Sequence, residues 1–264
     1  MRRLPFLIVM LAALLASPAH AEMEVGMQDD NAVVYGYSSR VIALDQFVAM
    51  GGTSVRMNLE HQRNHDYDDN LGLSAVRPGI SYYDDALKDI LARGLKPQIT
   101  LIWKQQNNPR KIAKWIYNVA HHFGNQVDRY SVLNEPDLLL EIGCNKHNLA
   151  RFTARFQHNL LLAKHDQYRA QVLTSPRGMN LTTACSRYRR GRFYSRLLAR
   201  VVPAIHAANA DAQVLAGETS AQPGLDWFVR GADPRTLPVD GWAHHPFQLR
   251  DLTPGRPTTH WSIG

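Results

Sequence analysis

Short runs of apolar and β-branched residues alternate along the chain with longer amphipathic runs. Each short run is followed by polar residues, glycine or proline, which is typical of a buried β-strand. This pattern predicts six strands, over residues 24–29, 53–58, 97–103, 127–134, 213–218 and 239–246.

The longer runs between them carry apolar residues at the three- and four-residue spacing of a helix face. Ser81, with Asp84 three positions later, indicates a capped helix start. Pro109 suits the first position of a helix whose apolar stripe ends at Gly124. Another stripe predicts a helix around 197–205. Alternating strands and helices predict an α/β fold with a parallel sheet covered by helices.

Both a doubly wound sheet and a (β/α)8 TIM barrel fit this alternation. A dinucleotide-binding sheet would show G-x-G-x-x-G after an early strand, and the sequence contains no such motif. The carboxyl ends of barrel strands share one face, where active sites are built. Polar or aromatic residues end all six predicted strands: Asp29–Asp30, Arg56–Asn58, Trp103, Asn134–Glu135, Glu218 and His244–His245. The pattern therefore favours a barrel, present here as about six β/α units.

The first 21 residues indicate a signal peptide rather than part of the fold. Arg2 and Arg3 precede an apolar segment at 4–15, and Ala19-His20-Ala21 fits a cleavage site. The segment is short for a membrane anchor, which needs roughly 20 apolar residues. We expect a secreted or periplasmic protein, without a membrane span after cleavage, whose folded domain covers residues 22–264.

The charge balance is moderately basic. Of 30 Lys and Arg residues two lie in the predicted signal, so 28 remain against 23 Asp and Glu. Part of this excess forms a basic cluster, which we interpret as a solvated helix start rather than a binding patch. An acidic polysaccharide or a membrane surface is the alternative partner. A nucleic acid is not expected, because no recognition motif is present. The cluster consists of Arg187, Arg189, Arg190, Arg192 and Arg196.

Only two cysteines occur, Cys144 and Cys185. In an oxidising compartment an isolated pair predicts a disulfide. Both lie in the interval 137–190, which is too long for an ordinary connection and contains a helical stretch near 150–164. We therefore predict an inserted loop region above one side of the candidate site.

The strongest chemical signal is Val132-Leu133-Asn134-Glu135-Pro136. An apolar strand delivers Asn134 and Glu135 side by side, and Pro136 ends the strand. Glycosidic cleavage needs an acid that protonates the leaving oxygen and a second carboxylate near the sugar carbon. A partly buried carboxyl group near another carboxylate holds its proton to higher pH, which suits a general acid. Taken alone, the three-residue motif could equally be a turn after a strand.

The ordered strand ends VGMQDD, VRMN, TLIW, LNEP, VLAGE and HHPF resemble the first six strands of clan A glycoside hydrolases, especially the family 39-like and family 5-like branches. The resemblance spans about residues 24–247. It implies a retaining O-glycosyl hydrolase that acts on a poly- or oligosaccharide without a cofactor. It also implies roles for single residues. Glu135 matches the acid/base, Asn134 its sugar-binding neighbour and Arg56 the arginine that supports the nucleophile. His245 matches the histidine ending strand six, and Trp103 would be a stacking platform, with a core tryptophan as the alternative.

The chain departs from this family pattern in two ways. Phe247 stands where many relatives have tyrosine, so a hydroxyl that could orient the nucleophile is missing. The family nucleophile is a glutamate ending a seventh strand, for which we find no matching run. We therefore expect a sequence truncated before that strand, with the nucleophile beyond residue 264.

Glu218 is a candidate second carboxylate within the chain. Adjacent strands lie about 4.8 Å apart, close to the ~5–5.5 Å separation of retaining carboxylate pairs. Neighbouring strands would, however, put both groups on the same side of the scissile bond. No metal site is predicted, since the pairs His121–His122 and His244–His245 lack a third ligand at metal-site spacing.

Two other classes of function fit the same residues. One is a catalytically inactive carbohydrate-binding barrel or truncated remnant, which would keep the cleft and hydrolyse nothing. The other is an exported structural protein whose strand-end polar residues cap the barrel. The sugar, the linkage, exo or endo action and the oligomeric state are not specified by the sequence.

Overall fold

The computed structural model describes residues 24–61, 80–103, 109–163, 181–220 and 225–245. The predicted signal peptide and Phe247 lie outside these ranges. Within them, every predicted strand is confirmed with slightly shifted ends. The strands are β1 (Gly26–Gln28), β2 (Ser54–Glu60), β3 (Lys96–Ile102), β4 (Arg129–Val132), β5 (Gln213–Thr219) and β6 (Gly241–His244).

All neighbouring strands are parallel, and their order in the sheet is β1-β2-β3-β4-β5-β6. A doubly wound sheet would reverse its strand order at a switch point, whereas a barrel adds each strand beside the previous one. The sheet therefore forms six consecutive strands of an incomplete (β/α)8 barrel, which confirms the predicted fold class.

Helices connect the strands: α1 (Asp30–Val33), α2 (Tyr37–Ala49), α3 (Ile80–Leu91), α4 (Pro109–Phe123), α5 (Pro136–Leu139), α6 (Lys146–Ala163), α7 (Leu181–Ala208) and α8 (Leu225–Ala232). The predicted helix start at Ser81 is wrong, because α3 already includes Ile80. The side chain of Ile80 is buried and shares the apolar face with Tyr83 and Leu87. Burial of that face extends the helix past the apparent cap.

The two faces of the sheet differ in chemistry, because successive side chains of a strand point to opposite sides. The outer face packs with apolar residues of α2, α3, α4 and α7 in one core. The opposite, inner face carries polar side chains that form the candidate site. Fully buried outer-face residues are Val55, Met57, Ile99, Leu101, Tyr130, Val132, Val214 and Ala216.

The interval predicted as an inserted loop region contains α5, α6 and the beginning of α7. The predicted disulfide Cys144–Cys185 is present, with its Cα atoms 5.8 Å apart, and it ties the segment after α5 to α7. The basic cluster lies within α7 rather than at a helix start, and its Arg187, Arg189 and Arg190 bond backbone carbonyls of residues 137–143. Among the helices of the described ranges, none is long and apolar enough to cross a membrane.

Candidate active site

The ends of β4 and β5 have unusual backbone conformations. Leu133, Glu135 and Glu218 have φ angles of 62°, 45° and 42°, in the left-handed region. Residues other than glycine rarely adopt this region, and they persist in it where the surrounding structure holds them. Such residues cluster at functional sites. Here Leu133 and Glu135 follow β4, and Glu218 is the penultimate residue of the adjacent strand β5. The sharp turn at Glu135 leads directly into Pro136 and α5.

The carboxyl group of Glu135 lies at the surface of the site and contacts a histidine. Its side chain is 27% exposed, and Oε1 lies 3.5 Å from Nδ1 of His245. The backbone N–H of Glu135 donates to the carbonyl of Glu218 at 3.1 Å. The carboxyl group is therefore accessible to a ligand, while its backbone is tied to the neighbouring strand end.

The tautomer of His245 follows from its second contact. Nη1 of Arg56 lies 2.9 Å from Nε2 of His245. A guanidinium group can only donate, so Nε2 accepts and the ring proton of neutral His245 resides on Nδ1. That N–H faces Glu135. The histidine thus connects Arg56 to the candidate acid/base.

Arg56 is the centre of the site, and its guanidinium reaches residues of four other strands or strand ends. Nη2 donates to Oδ1 of Asn134 at 2.9 Å and to Oε2 of Glu218 at 2.5 Å. Nε donates to Oγ1 of Thr100 at 2.7 Å. The structure therefore brings together four of the predicted site residues, Arg56, Asn134, Glu218 and His245, with Glu135 beside them.

Glu218 is fully buried and saturated with donors. Besides Arg56, its carboxylate accepts from Gln98 at 3.2 Å, from Thr100 at 3.0 Å and from the hydroxyl of Ser131. Burial raises the pKa of Glu218, against the opposing effects of Arg56 and the two hydroxyls. A carboxylate with 0% exposure and both oxygens occupied is poorly placed to attack a sugar carbon. Its geometry is that of a buried counter-charge for Arg56.

Sequence reasoning missed Gln98, Thr100 and Ser131 as parts of the site. The signal was present in the alternation of the strands, because Gln98 and Thr100 lie at every second position of β3, between apolar residues. At the first strand end, Asp29 caps α1 through the N–H of Ala32. Asp30 accepts from the backbone and side-chain amides of Asn58, both at 2.9 Å.

Trp103 follows β3 but is only 8% exposed and belongs to the apolar core. Its stacking role stays a prediction, and its burial favours the alternative of a core tryptophan. His121 and His122 lie on α4, where Nε2 of His122 is 2.7 Å from Asp84. Within the described part of the chain, no three His, Cys, Asp or Glu residues are grouped so that they could hold a metal ion.

No protein-family model matches the chain, and no curated protein matches it in sequence. Solved structures do match. The chain is similar to a β-galactosidase from the psychrophilic Marinomonas ef1, with 10% identity, 85% of this chain and 41% of that chain covered, and a TM-score of 0.50. A monomeric β-xylosidase from Caulobacter crescentus CB15 matches at 17% identity, with 84% and 41% covered and a TM-score of 0.48.

A family 39 glycoside hydrolase from the gut symbiont Bacteroides cellulosilyticus WH2 matches at 15% identity and a TM-score of 0.46. That match covers 84% of this chain and 38% of the hydrolase, so the chain spans about two fifths of the length of these bacterial enzymes. At such identities the likeness is one of fold. By their strand order the described residues form part of a (β/α)8 barrel.

Proposed function

We propose that the chain is an exported, retaining O-glycosyl hydrolase of poly- or oligosaccharides, with Glu135 as its acid/base. The principal support is the arrangement of Glu135 itself, partly exposed on a strained turn after β4 with His245 at 3.5 Å. Asn134 precedes it and is oriented by Arg56, which suits a contact to a sugar hydroxyl. The disulfide Cys144–Cys185 supports export, because disulfides persist in oxidising compartments.

In the first step of this mechanism, protonated Glu135 donates its proton to the glycosidic oxygen. The bond from that oxygen to the anomeric carbon breaks, the leaving group departs as an alcohol, and a carboxylate nucleophile bonds to the same carbon. By the family resemblance this nucleophile is a glutamate that ends a seventh strand. In the second step, Glu135 takes a proton from water, whose oxygen bonds to the anomeric carbon while the glycosyl ester breaks.

A carbohydrate-binding barrel without hydrolytic activity is the second candidate. This candidate is favoured because Glu218, the second carboxylate found in the described part of the site, is unsuited to nucleophilic attack. Glu218 is buried and bonds four side chains. Such a protein would retain Asn134, Arg56 and the accessible Glu135 as sugar-binding groups.

Hydrolysis of a panel of aryl glycosides by the natively secreted protein, with any seventh strand it contains, tests the two candidates. For a substrate with a poor leaving group, Glu135→Gln should lower kcat by about 10²–10⁴-fold, the usual contribution of general acid–base catalysis. The matched control is Asp128→Asn, which removes an exposed carboxylate just before the amino end of the same strand and should keep wild-type activity.

Full activity in Glu135→Gln would refute the acid/base assignment. Glycan binding by the natively secreted wild-type protein, measured by calorimetry, without cleavage of any glycoside would favour the binding barrel. Proton NMR of the first sugar released tests the stereochemistry, since a retaining enzyme yields the anomer of its substrate.

A further inference from the structure

The ends of β4 and β5 remain joined beyond their regular pairing, which extends to Ser131 and Leu215. We call this continuation, residues 132–137 opposite 217–220, the β4–β5 seam. Its first connection comes from α7, where the hydroxyl of Tyr194 donates to the carbonyl of Val132 at 2.6 Å and accepts from the N–H of Gly217 at 3.0 Å. A tyrosine side chain thus replaces direct backbone pairing at this level.

The next two connections lie at the turn of Glu135 and two residues after it. Its backbone N–H donates to the carbonyl of Glu218 at 3.1 Å. Two residues later, Oδ1 of Asp137 accepts from the backbone N–H of Ser220 at 3.0 Å, and Oδ2 accepts from the Ser220 hydroxyl at 2.6 Å. The carboxylate of Asp137 therefore continues the seam at the level of α5, where a side chain rather than the backbone bonds Ser220.

Asp137 is completely buried, and arginines of α7 neutralise it. Nη1 of Arg187 lies 3.2 Å from Oδ2 of Asp137 and also bonds its carbonyl. Nη1 of Arg190 donates to the same carbonyl at 2.8 Å. A buried carboxylate without such partners would be strongly destabilising. Since Cys185 is disulfide-bonded to Cys144, this part of α7 is itself anchored to the segment after α5.

We propose that Asp137 is a positioning residue for Glu135. Its bonds to Ser220 and Arg187 hold the far end of the left-handed turn at Glu135, and they keep the carboxyl group facing His245. The turn needs this support because its φ angle of 45° is strained. The helix that follows, with only four residues, is too short to be stable by itself. We call the bonds of Asp137 to Ser220 and Arg187 the clamp. Its catalytic consequence rests on the proposed function, whereas the clamp itself does not.

Amide hydrogen exchange, followed by NMR on the full chain, tests the clamp without any substrate. In Asp137→Asn the amides of Glu135 and Ser220 should exchange at least about tenfold faster relative to Met57 at the centre of β2, since a charged hydrogen-bond network is lost locally. Ser220→Ala, which removes only the hydroxyl, should show a smaller effect of the same sign. The control is Asp89→Asn, which breaks the 3.1 Å ion pair with Arg40 far from the seam.

Asp89→Asn should leave the relative protection of Glu135 unchanged. If Glu135 keeps its protection in Asp137→Asn, the proposal is overturned. It is equally overturned if all amides of the sheet speed up together in Asp137→Asn, because Asp137 would then serve only global stability.

A kinetic measurement connects the clamp to catalysis. With a dinitrophenyl glycoside, whose leaving group needs little protonation, Asp137→Asn should retain kcat/KM within about threefold. With an alkyl glycoside it should lose at least about tenfold, because a displaced acid mainly affects poor leaving groups. Equal losses on both substrates would contradict a positioning role. Absence of hydrolysis by the natively secreted wild-type protein, with any seventh strand it contains, would refute the proposed function, while amide exchange would still decide the clamp.

Discussion

The outer and inner faces of the sheet are built from alternate residues of the same strands, yet they tolerate change differently. On the outer face, residues such as Met57 and Leu101 are buried among apolar helix residues. These contacts are non-directional, so side chains of similar volume can replace one another. On the inner face, Arg56 and Glu218 depend on oriented hydrogen bonds, and removal of one partner leaves a buried charge unpaired. Apolar packing therefore stabilises the barrel, whereas the inner network selects one arrangement of the site.

The largest effect should come from breaking the inner network at its centre. Arg56→Leu leaves Glu218 buried without its counter-charge, and we expect a loss of about 3–5 kcal/mol in the free energy of unfolding, measured with urea. The loss should shrink at lower pH, because burial already raises the pKa of Glu218 and a protonated carboxyl group needs no counter-charge. The double variant Arg56→Leu/Glu218→Leu should recover most of the stability. A single-variant loss below about 1 kcal/mol would remove the contrast between the faces.

On the outer face the size of the side chain should matter more than its identity. Leu101 is 0% exposed, and Leu101→Ala should destabilise by about 2–5 kcal/mol through the cavity it leaves. Leu101→Met conserves volume and should lose less than about 1.5 kcal/mol. Both values come from the same urea measurement. Comparable losses in the two variants would show that outer-face packing is as specific as the inner network.

The smallest effect concerns a polar residue at the border of the outer face. His61 follows β2, packs edge-on against Trp115 with ring centroids 5.0 Å apart, and burial lowers its pKa from 6.5 to about 4. The unfolded chain therefore binds a proton between pH 6.5 and 4 that the folded protein does not. Burial of neutral His61 therefore contributes to the free energy of unfolding. This contribution is complete above pH 6.5 and is lost as the pH falls towards 4.

For wild type compared with His61→Gln, we expect the stability difference to fall by about 1–2 kcal/mol between pH 7 and pH 4, allowing for the partial exposure of His61. Urea unfolding at both values measures it. The exposed His147→Gln serves as the control for loss of a histidine. A difference independent of pH would show that His61 is protonated as readily in the folded protein as in the unfolded chain.

Much of this architecture could be predicted because it depends on local periodicity. Apolar runs marked all six strands, and the strand-end residues Asn134 and His245 met because parallel strands place their carboxyl ends on one face. Arg56 was predicted at a strand end but lies within β2, which extends to Glu60, and it reaches them from the inner face of the sheet. The start of α3 was missed because burial of Ile80 outweighed the local capping signal at Ser81. The basic cluster was taken for a solvated helix start, since its carbonyl partners lie about 50 residues away in the chain.

Local patterns were thus sufficient for the six strands and the disulfide pair, whereas the acid/base role of Glu135 stays a prediction. Partners within the folded chain decided the rest: that Glu218 serves as the buried counter-charge of Arg56, that His245 presents Nδ1–H to Glu135, and that Asp137 clamps Ser220. No pattern of spacing encodes these pairs, because a hydrogen bond depends on distance and direction in space. Both are set only when strands and helices far apart in sequence pack together.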